Sequence, residues 1–505
     1  MREFKKHQFL PADWNKREIL RNKGQFWTPS WVANAMMAYV IKNTVKVFDP
    51  ATGKGAFLQA FFYLAKDYQK FYGIDIDPEV LKDDIYFDQR CSVEIRDYLK
   101  NPPPGKFSAI IANPPYIRHH RIDPETKVFL KSLCKKITGF TLDGRSGYHI
   151  YFLLNALDHL EENGRLAFIM PSDTCEGKFA VKLWNWIATH FRIECVITFE
   201  EQATPFPSVD TNALIFFIKK TPPVQSLNWI ISKEPYNDDL LLFVSHNFSS
   251  YQNFASLEIH ERTLAEALKT GLSRKPDNKV YPYKLSDFAK VMRGIATGSN
   301  DFFFLNENQI REHDIPSEFL KFAIGRTKDL DKNIIDKDTI NYLNKLNRPV
   351  YLFSPDNRNL NEFPDSVRKY LKLGEEMGLP QKSLISQRNP WYKMEKRIPP
   401  PILFTYLGRR NVRFIRNLYN VLPLTCFLCV YPLNDNFEFI DNLYMMLNEP
   451  EVIDNLRLVA KSYGSGALKV EPRQLQNLPI PEKLIEKYDL LPFRQKKYEQ
   501  ILLFQ

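Results

Sequence analysis

Val47-Phe48-Asp49-Pro50-Ala51-Thr52-Gly53-Lys54-Gly55-Ala56-Phe57 decides how the chain is read. Val45 to Asp49 is a short apolar run of strand type, the proline and two glycines break it, and helical spacing follows from Ala56 to Asp67. Glycine lets a backbone fold tightly and approach a ligand where a Cβ would clash. The spacing is GxG without the third glycine of a dinucleotide fingerprint. Lys54 does not sit in a GxxxxGK[ST] frame, which excludes phosphate-loop nucleotide hydrolysis. Taken alone, the segment also fits a plain tight turn.

Outward from this point, apolar runs alternate with helix-like stretches. The expected strands are Val45 to Asp49, Phe71 to Asp75, Ser92 to Ile95, Phe107 to Ala112, Arg165 to Met170, Ile193 to Thr198 and Ala213 to Ile218, with helices over Ala56 to Asp67, Tyr148 to Leu160 and Lys178 to Thr189. Such alternation predicts a doubly wound α/β sheet, whose ligands lie at the C-terminal tips of the strands. Gly73-Ile74-Asp75-Ile76-Asp77 puts an acid at one such tip, where a carboxylate can accept from both hydroxyls of a ribose. At the tip of the fourth strand stands Ala112-Asn113-Pro114-Pro115-Tyr116. Two prolines fix φ and remove two donors, so the turn is stiff and presents its carbonyls in a set direction. An exocyclic amine has two N–H donors. The Asn113 side-chain oxygen and the Pro114 carbonyl can accept both and prepare the nitrogen as a nucleophile, while Tyr116 stacks on the base.

NPPY, placed after DPATGKG and GIDIDP, resembles the N6-adenine DNA methyltransferases of the gamma motif order, over most of Gln25 to Lys220. NPPY is shared with enzymes that methylate glutamine in proteins, or adenine and guanine in RNA. The resemblance implies a Rossmann-like fold that binds S-adenosyl-L-methionine through Asp49, Pro50, Ala51, Gly53, Gly55, Asp75, Ile76 and Asn113, with Asp97 at the cofactor adenine. It gives catalysis to Asn113, Pro114, Pro115 and Tyr116, and base stacking to Tyr116 and Phe206. Phe26-Trp27-Thr28-Pro29 looks like the motif that closes over the methionine moiety, through Thr28. Each also has a plainer reading: Thr28 as a helix cap, Asp97 as a surface acid, Phe206 as core.

After Thr221-Pro222-Pro223 the alternation fades, so the catalytic domain is expected over 1–225 and an α+β target-recognition domain, with a linker to about Asn278, over 226–505. Arg293-Gly294 through Asn300 looks like the RGxxTGxN turn of such domains, and Gly464-Ser465-Gly466 through Pro479 like their closing segment. The formal charge is +10, from 69 Lys and Arg against 59 Asp and Glu, which favours a polyanionic partner. From Arg388 to Arg416, eight basic residues meet the single acid Glu395, interleaved with Trp391, Tyr392, Phe404, Tyr406 and Phe414. That pattern suits phosphate contacts beside stacking rings. The expected DNA contacts are Arg118 and Arg121 after the NPPY turn, then Arg293, Arg397, Arg409 and Arg410.

A hydrophobic fraction of 44% in 505 residues is ordinary for a globular chain of two or more domains. Apolar runs such as Val421 to Val430 are too short to cross a bilayer, and Met1 to His7 leads into no signal-peptide core, so a cytoplasmic protein is expected. Six thinly spread cysteines, with only Cys426 and Cys429 in CxxC spacing, predict no metal site; that pair reads as small core residues of a buried strand. The expected function is sequence-specific methylation of adenine N6 in double-stranded DNA by a monomer, beside a separate restriction endonuclease. The alternatives are methylation of RNA adenine or protein glutamine, a fused nuclease, and a non-catalytic specificity protein. A fused nuclease is disfavoured because the opening motif stands at Phe26 and Pro364-Asp365 has no downstream ExK partner.

Overall fold

The computed structural model describes residues 24, 26–79, 88–143, 145–175, 178–207, 212–236, 238–276, 281–405, 407–408, 412–463 and 467–490. The chain divides into two compact units, Met1–Asp277 with Ser462–Gly466, and Asn278–Lys461 with Ala467–Gln505.

The first unit is built on nine strands: β1 Lys46–Asp49, β2 Lys70–Asp75, β3 Cys91–Ile95, β4 Phe107–Ala112, β5 Leu160–Pro171, β6 Arg192–Phe199, β7 Ala213–Lys219, β8 Ser226–Ser232 and β9 Leu257–Thr263, in the order β3-β2-β1-β4-β5-β7-β6-β8-β9. β1 to β5 run parallel to one another, β7 is antiparallel to both β5 and β6, and β8 is parallel to β6. The strand order reverses between β1 and β4, which puts the ligand crevice beyond the tips of those two strands. Both lead to residues of the candidate site: β1 ends at Asp49 and β4 immediately precedes Asn113.

Period-2 side-chain alternation splits each central strand between two cores. On β4, Ala109 and Ile111 join one cluster, with helices α1 Ser30–Val40 and α2 Ala56–Leu64. Ile110 and Ala112 join the other, with α3 Pro124–Thr138, α4 Tyr148–Asp158 and α5 Lys178–His190. α4 is buried over nine consecutive residues, His149 to Leu157, so it is a core element of this layered unit. α3 shows its stop signals clearly: the Asp123 carboxylate accepts from the Thr126 N–H at 2.8 Å, Pro124 stands first in the helix, and Gly139 ends it in the left-handed region.

The division expected after residue 225 falls instead after Asp277. β8 pairs with β6 from Cys195↔Asn228 to Phe199↔Ser232, and β9 closes that edge of the sheet, so the segment read as a connection is part of the fold. β9, Leu-Glu-Ile-His-Glu-Arg-Thr, shows little apolar alternation because it is an edge strand, and its inward Arg262 is neutralised by Glu266 and capped by the carbonyls of Gly271 and Arg274.

The second unit is α+β, as expected. Ala289–Arg293, Phe427–Pro432, Ile402–Thr405, Phe414–Asn417 and Ile334–Ile335 form a mostly antiparallel five-stranded sheet, and Phe304–Leu305, Tyr351–Phe353, Leu320–Ile324 and Leu422–Pro423 a four-stranded one. Helices Asp365–Glu376, Phe437–Leu447 and Pro450–Val459 flank them. The expected turn at Arg293 exists for a steric reason. A Cβ on Gly294 would stand 2.1 Å from the Leu424 carbonyl oxygen, so only glycine lets the two backbones cross. Cys429 is buried on its strand as expected, whereas Cys426 just before it is exposed. No group of metal-ligating side chains occurs among the described residues, and none of their helices is long and apolar enough to cross a membrane. Gly464 to Gly466 lie outside the described residues.

Candidate active site

The turn after β1 is built by side chains that hold backbone amides. One oxygen of the Asp75 carboxylate accepts from the Gly53 N–H at 2.8 Å and the other from the Asp77 N–H at 2.9 Å. The tip of β2 thereby clamps the turn of β1. Gly53 and Gly55 both have positive φ, 53° and 75°, and Gly55 stands at the start of α2. Asp49 is fully buried and accepts from the Ala51 N–H at 3.0 Å, while its second oxygen has no partner. Burial drives its carboxyl well above the usual range, the Ala51 bond opposing and the Asp75 charge adding to the shift. Asp75 is raised too, by burial first. Ile76, next to that tip, is 66% exposed, an apolar face on the rim of the crevice. Asp97 caps the turn after β3, its Oδ1 accepting from the Leu99 and Lys100 N–H groups at 3.0 and 3.1 Å.

Asn113 lies at the other side of the switch point. Its Nδ2 donates both hydrogens inward, to the Phe26 carbonyl at 2.7 Å and to the Thr28 hydroxyl at 3.1 Å. Its Oδ1 is buried and has no hydrogen-bond partner. An orphaned carbonyl oxygen at the tip of a central strand costs free energy unless a donor arrives to fill it. The turn that carries it is fixed on both sides. Tyr116 N donates to the Gly24 carbonyl at 3.1 Å, Ile117 N to the Pro115 carbonyl at 3.0 Å, and Tyr148 N, at the start of α4, to the Ile117 carbonyl at 2.9 Å. Pro114 is buried and Pro115 partly so.

Three rings close this side of the site. Tyr116 anchors its hydroxyl on the Ile169 carbonyl at 3.0 Å and is 8% exposed, and Phe206 is 2% exposed. Phe26 touches both, with ring centroids 5.1 Å from Tyr116 and 5.8 Å from Phe206, which meet edge to face at 6.3 Å. As the rings stand, stacking a base on Tyr116 or Phe206 requires them to part. Behind Tyr116, the buried His149 ring packs edge-on at 5.8 Å, and burial keeps it neutral by lowering its pKa.

The sequence reading found Asn113 and its turn but missed Phe26 as a partner. A backbone carbonyl 87 residues away leaves no residue-type signature. Arg118 is exposed beside the NPPY turn, and Arg121 is half-buried in the short helix His119–Arg121. In the second unit Arg293 has an exposed side chain, 3.7 Å from Glu471. Arg397 does not meet its expectation as a free DNA contact. Its side chain is 11% exposed and bonds Glu395 and the Arg293 carbonyl, so it braces the turn. Arg388 likewise donates to the carbonyls of Ala296 and Thr297 at 2.7 and 2.8 Å, Arg413 to that of Leu330, and Arg416 to Asp441 and the Pro401 carbonyl. Of the basic stretch, Lys393 and Lys396 stay exposed, while Arg409 and Arg410 lie outside the described residues.

Two family models match the chain, the Eco57I restriction-modification methylase over residues 82–206 and the C-terminal domain of type II methyltransferase M.Eco57I over 266–505. The chain is 28% identical to the type II methyltransferase M.AccI of Acinetobacter calcoaceticus over 521 residues, covering 98% of this chain and 93% of the relative. It is 23% identical to the type II methyltransferase M.XamI of Xanthomonas campestris pv. amaranthicola, covering 91% and 85%. Among solved structures it resembles the type IIL restriction-modification enzyme MmeI in complex with DNA, with a TM-score of 0.50 at 14% identity over 85% of this chain. It also resembles a DrdV–DNA complex, with a TM-score of 0.51 at 11% identity over 93%. At such identities the likeness is one of fold, and the chain spans 61% and 57% of those two proteins. The nine-stranded sheet, the clamped glycine turn and the two family matches agree: the chain is an S-adenosylmethionine-dependent DNA methyltransferase, similar over nearly its whole length to type II methyltransferases of restriction-modification systems.

Proposed function

We propose that the protein methylates N6 of adenine at a specific sequence in double-stranded DNA, as the modification enzyme beside a separate restriction endonuclease. The observation that carries this reading is the unpartnered Oδ1 of Asn113, an acceptor fixed in place before any substrate arrives. An exocyclic amine offers two N–H donors. One fills Oδ1 and the other the Pro114 carbonyl, which turns the nitrogen lone pair away from the ring and toward the crevice.

The residues around the glycine turn fit the cofactor. The turn at Gly53 and Gly55 is held open by Asp75, whose oxygens keep lone pairs for ribose hydroxyls beyond their two backbone bonds. Pro50 and Ala51 line the turn, Ile76 offers an apolar face, and Asp97 stands after the third strand for the exocyclic amine of the cofactor's adenine. Asp49, its carboxyl pushed up by burial, keeps an unfilled oxygen beside them. Bound there, S-adenosylmethionine supplies a methyl group activated by its sulfonium. Asn113 and Pro114 orient the accepting amine, and the methylated nitrogen, cationic once the methyl is bonded, gives its extra proton to water, so no titrating side chain has to accept it. Reaching a base in a duplex requires extruding it, at a cost of a few kcal/mol, offset by stacking on Tyr116 and Phe206 once their rings part. The exposed cations Arg118, Arg293, Lys393 and Lys396 suit the DNA backbone; Arg121 beside them is half-buried.

The test is transfer of labelled methyl to unmethylated duplex DNA, structured RNA and protein in parallel, followed by digestion of the labelled product. Label in N6-methyladenosine of duplex DNA supports the reading. Label in RNA or in glutamine replaces it with the corresponding alternative.

A further inference from the structure

The two atoms that hold Asn113 come from one short segment far from it in sequence. The Phe26 carbonyl and the Thr28 hydroxyl accept the two hydrogens of Nδ2, at 2.7 and 3.1 Å. We propose that Thr28 is a positioning residue for Asn113, its hydroxyl taking the second Nδ2 hydrogen and so holding the carboxamide in the plane in which Oδ1 faces the substrate amine. The sequence assigned Thr28 to the methionine moiety; the geometry gives it to the side chain that accepts from the amine. The inference rests on the proposed role of Asn113 as acceptor for that amine.

A carboxamide is nearly symmetric in shape and opposite in polarity at its two ends. Turned over, Asn113 would present N–H groups to an amine that itself presents N–H groups, and would set Oδ1 against the Phe26 carbonyl. The Phe26 carbonyl, which can only accept, opposes that turn; a hydroxyl can also donate, so Thr28 sets the tilt of the carboxamide and not its polarity. Phe26 sets the polarity through a backbone atom that no substitution removes, so the support of Nδ2 that a substitution can remove is Thr28. Its own placement is rigid. Thr28 is buried, and the next residue, Pro29, gives its carbonyl to the N–H groups of Val32 and Ala33, starting α1. Nine of the eleven residues of α1 are buried in the core against β4 and β5. The hydroxyl is therefore carried by a packed element and not by a free loop, as a catalytic orientation requires.

The test compares Thr28→Val, which keeps the shape and removes the acceptor, with Thr28→Ser, which keeps the acceptor and loses a methyl. Single-turnover methylation, the affinity for DNA and the affinity for S-adenosylmethionine are measured on each. One neutral hydrogen bond corresponds to about a tenfold rate loss in the valine variant, with both affinities unchanged and the rate restored in the serine variant. Wild-type rates in the valine variant overturn the inference. So does a loss confined to cofactor affinity, which returns Thr28 to the cofactor, or a serine variant as slow as the valine one. Should valine disturb the packing, as judged by thermal unfolding, Thr28→Ala reads the same bond. If the wild-type protein labels RNA or protein instead of DNA, the proposed substrate fails by itself, and the same series is then read on the acceptor that takes the label.

Discussion

The strand tips of the first unit and the basic stretch of the second were equally conspicuous in the sequence, and the structure treats them in opposite ways. At the tips, Asp49, Asp75 and Asn113 stand at the ends of β1, β2 and β4, each holding or lacking a specific partner. Between Arg388 and Arg416, four of the described cations are turned inward, onto carbonyls or carboxylates of their own unit. The difference is one of reach. Asp and Asn are short, and their position at a strand end fixes where they act. An arginine side chain is long enough to lie along apolar surface and deliver five donors elsewhere, so a count of charges says little about where they face.

The largest effect expected on the catalytic side is Asn113→Ala. Removing a preorganised polar group at the reacting centre lowers turnover by about 100- to 1,000-fold, while cofactor affinity and folding hold. A folded variant with wild-type turnover breaks the distinction between the two regions at its strongest point. Next is Asp75→Ala, which removes the clamp on Gly53. Charged hydrogen bonds of roughly 1.5 to 3 kcal/mol correspond to a loss of cofactor affinity of about 10- to 100-fold, measured by calorimetry. Undiminished affinity would mean that the turn holds its shape without the carboxylate.

On the other side, Arg416→Ala should cost stability and leave DNA binding alone. Its guanidinium bonds Asp441 at 2.7 Å and the Pro401 carbonyl at 2.9 Å. Asp441 reaches water, so the loss is on the order of 2 kcal/mol, below that of a wholly buried pair. Denaturant unfolding reads it, and a variant as stable as wild type but weaker on DNA would show that the inward arginines do touch the nucleic acid. Smallest in stability are Lys393→Ala and Lys396→Ala, each within about 0.5 kcal/mol. As phosphate contacts, each lowers the salt dependence of DNA binding by about one unit of slope. An unchanged slope removes that lysine from the interface.

The same contrast explains how far the sequence could be read. Strands β1, β2 and β4 to β7 were legible because at least half of each is buried, which leaves apolar runs such as Phe107 to Ala112 and Ala213 to Ile218, whereas β3, at the sheet's edge, has no buried residue. β8 and β9 were not, because the sheet ends there and β9 carries polar residues at most positions, with Arg262 neutralised inside. In the site, NPPY was recognisable as a local motif. Its support was not: the acceptors from Phe26 and Gly24 are backbone atoms, which any residue would supply. The turn at Arg293-Gly294 was recognised by pattern, and its cause, the Leu424 backbone passing within a Cβ's reach, belongs to tertiary structure.

The measurement that bears most directly on the central claim is single-molecule sequencing of unmethylated genomic DNA after incubation with the wild-type protein and S-adenosylmethionine. N6-methyladenine confined to one short sequence, and absent with the Asn113→Ala variant, is the result the account predicts. Methylated cytosine, or no modified base from a preparation shown to bind the cofactor, would contradict it.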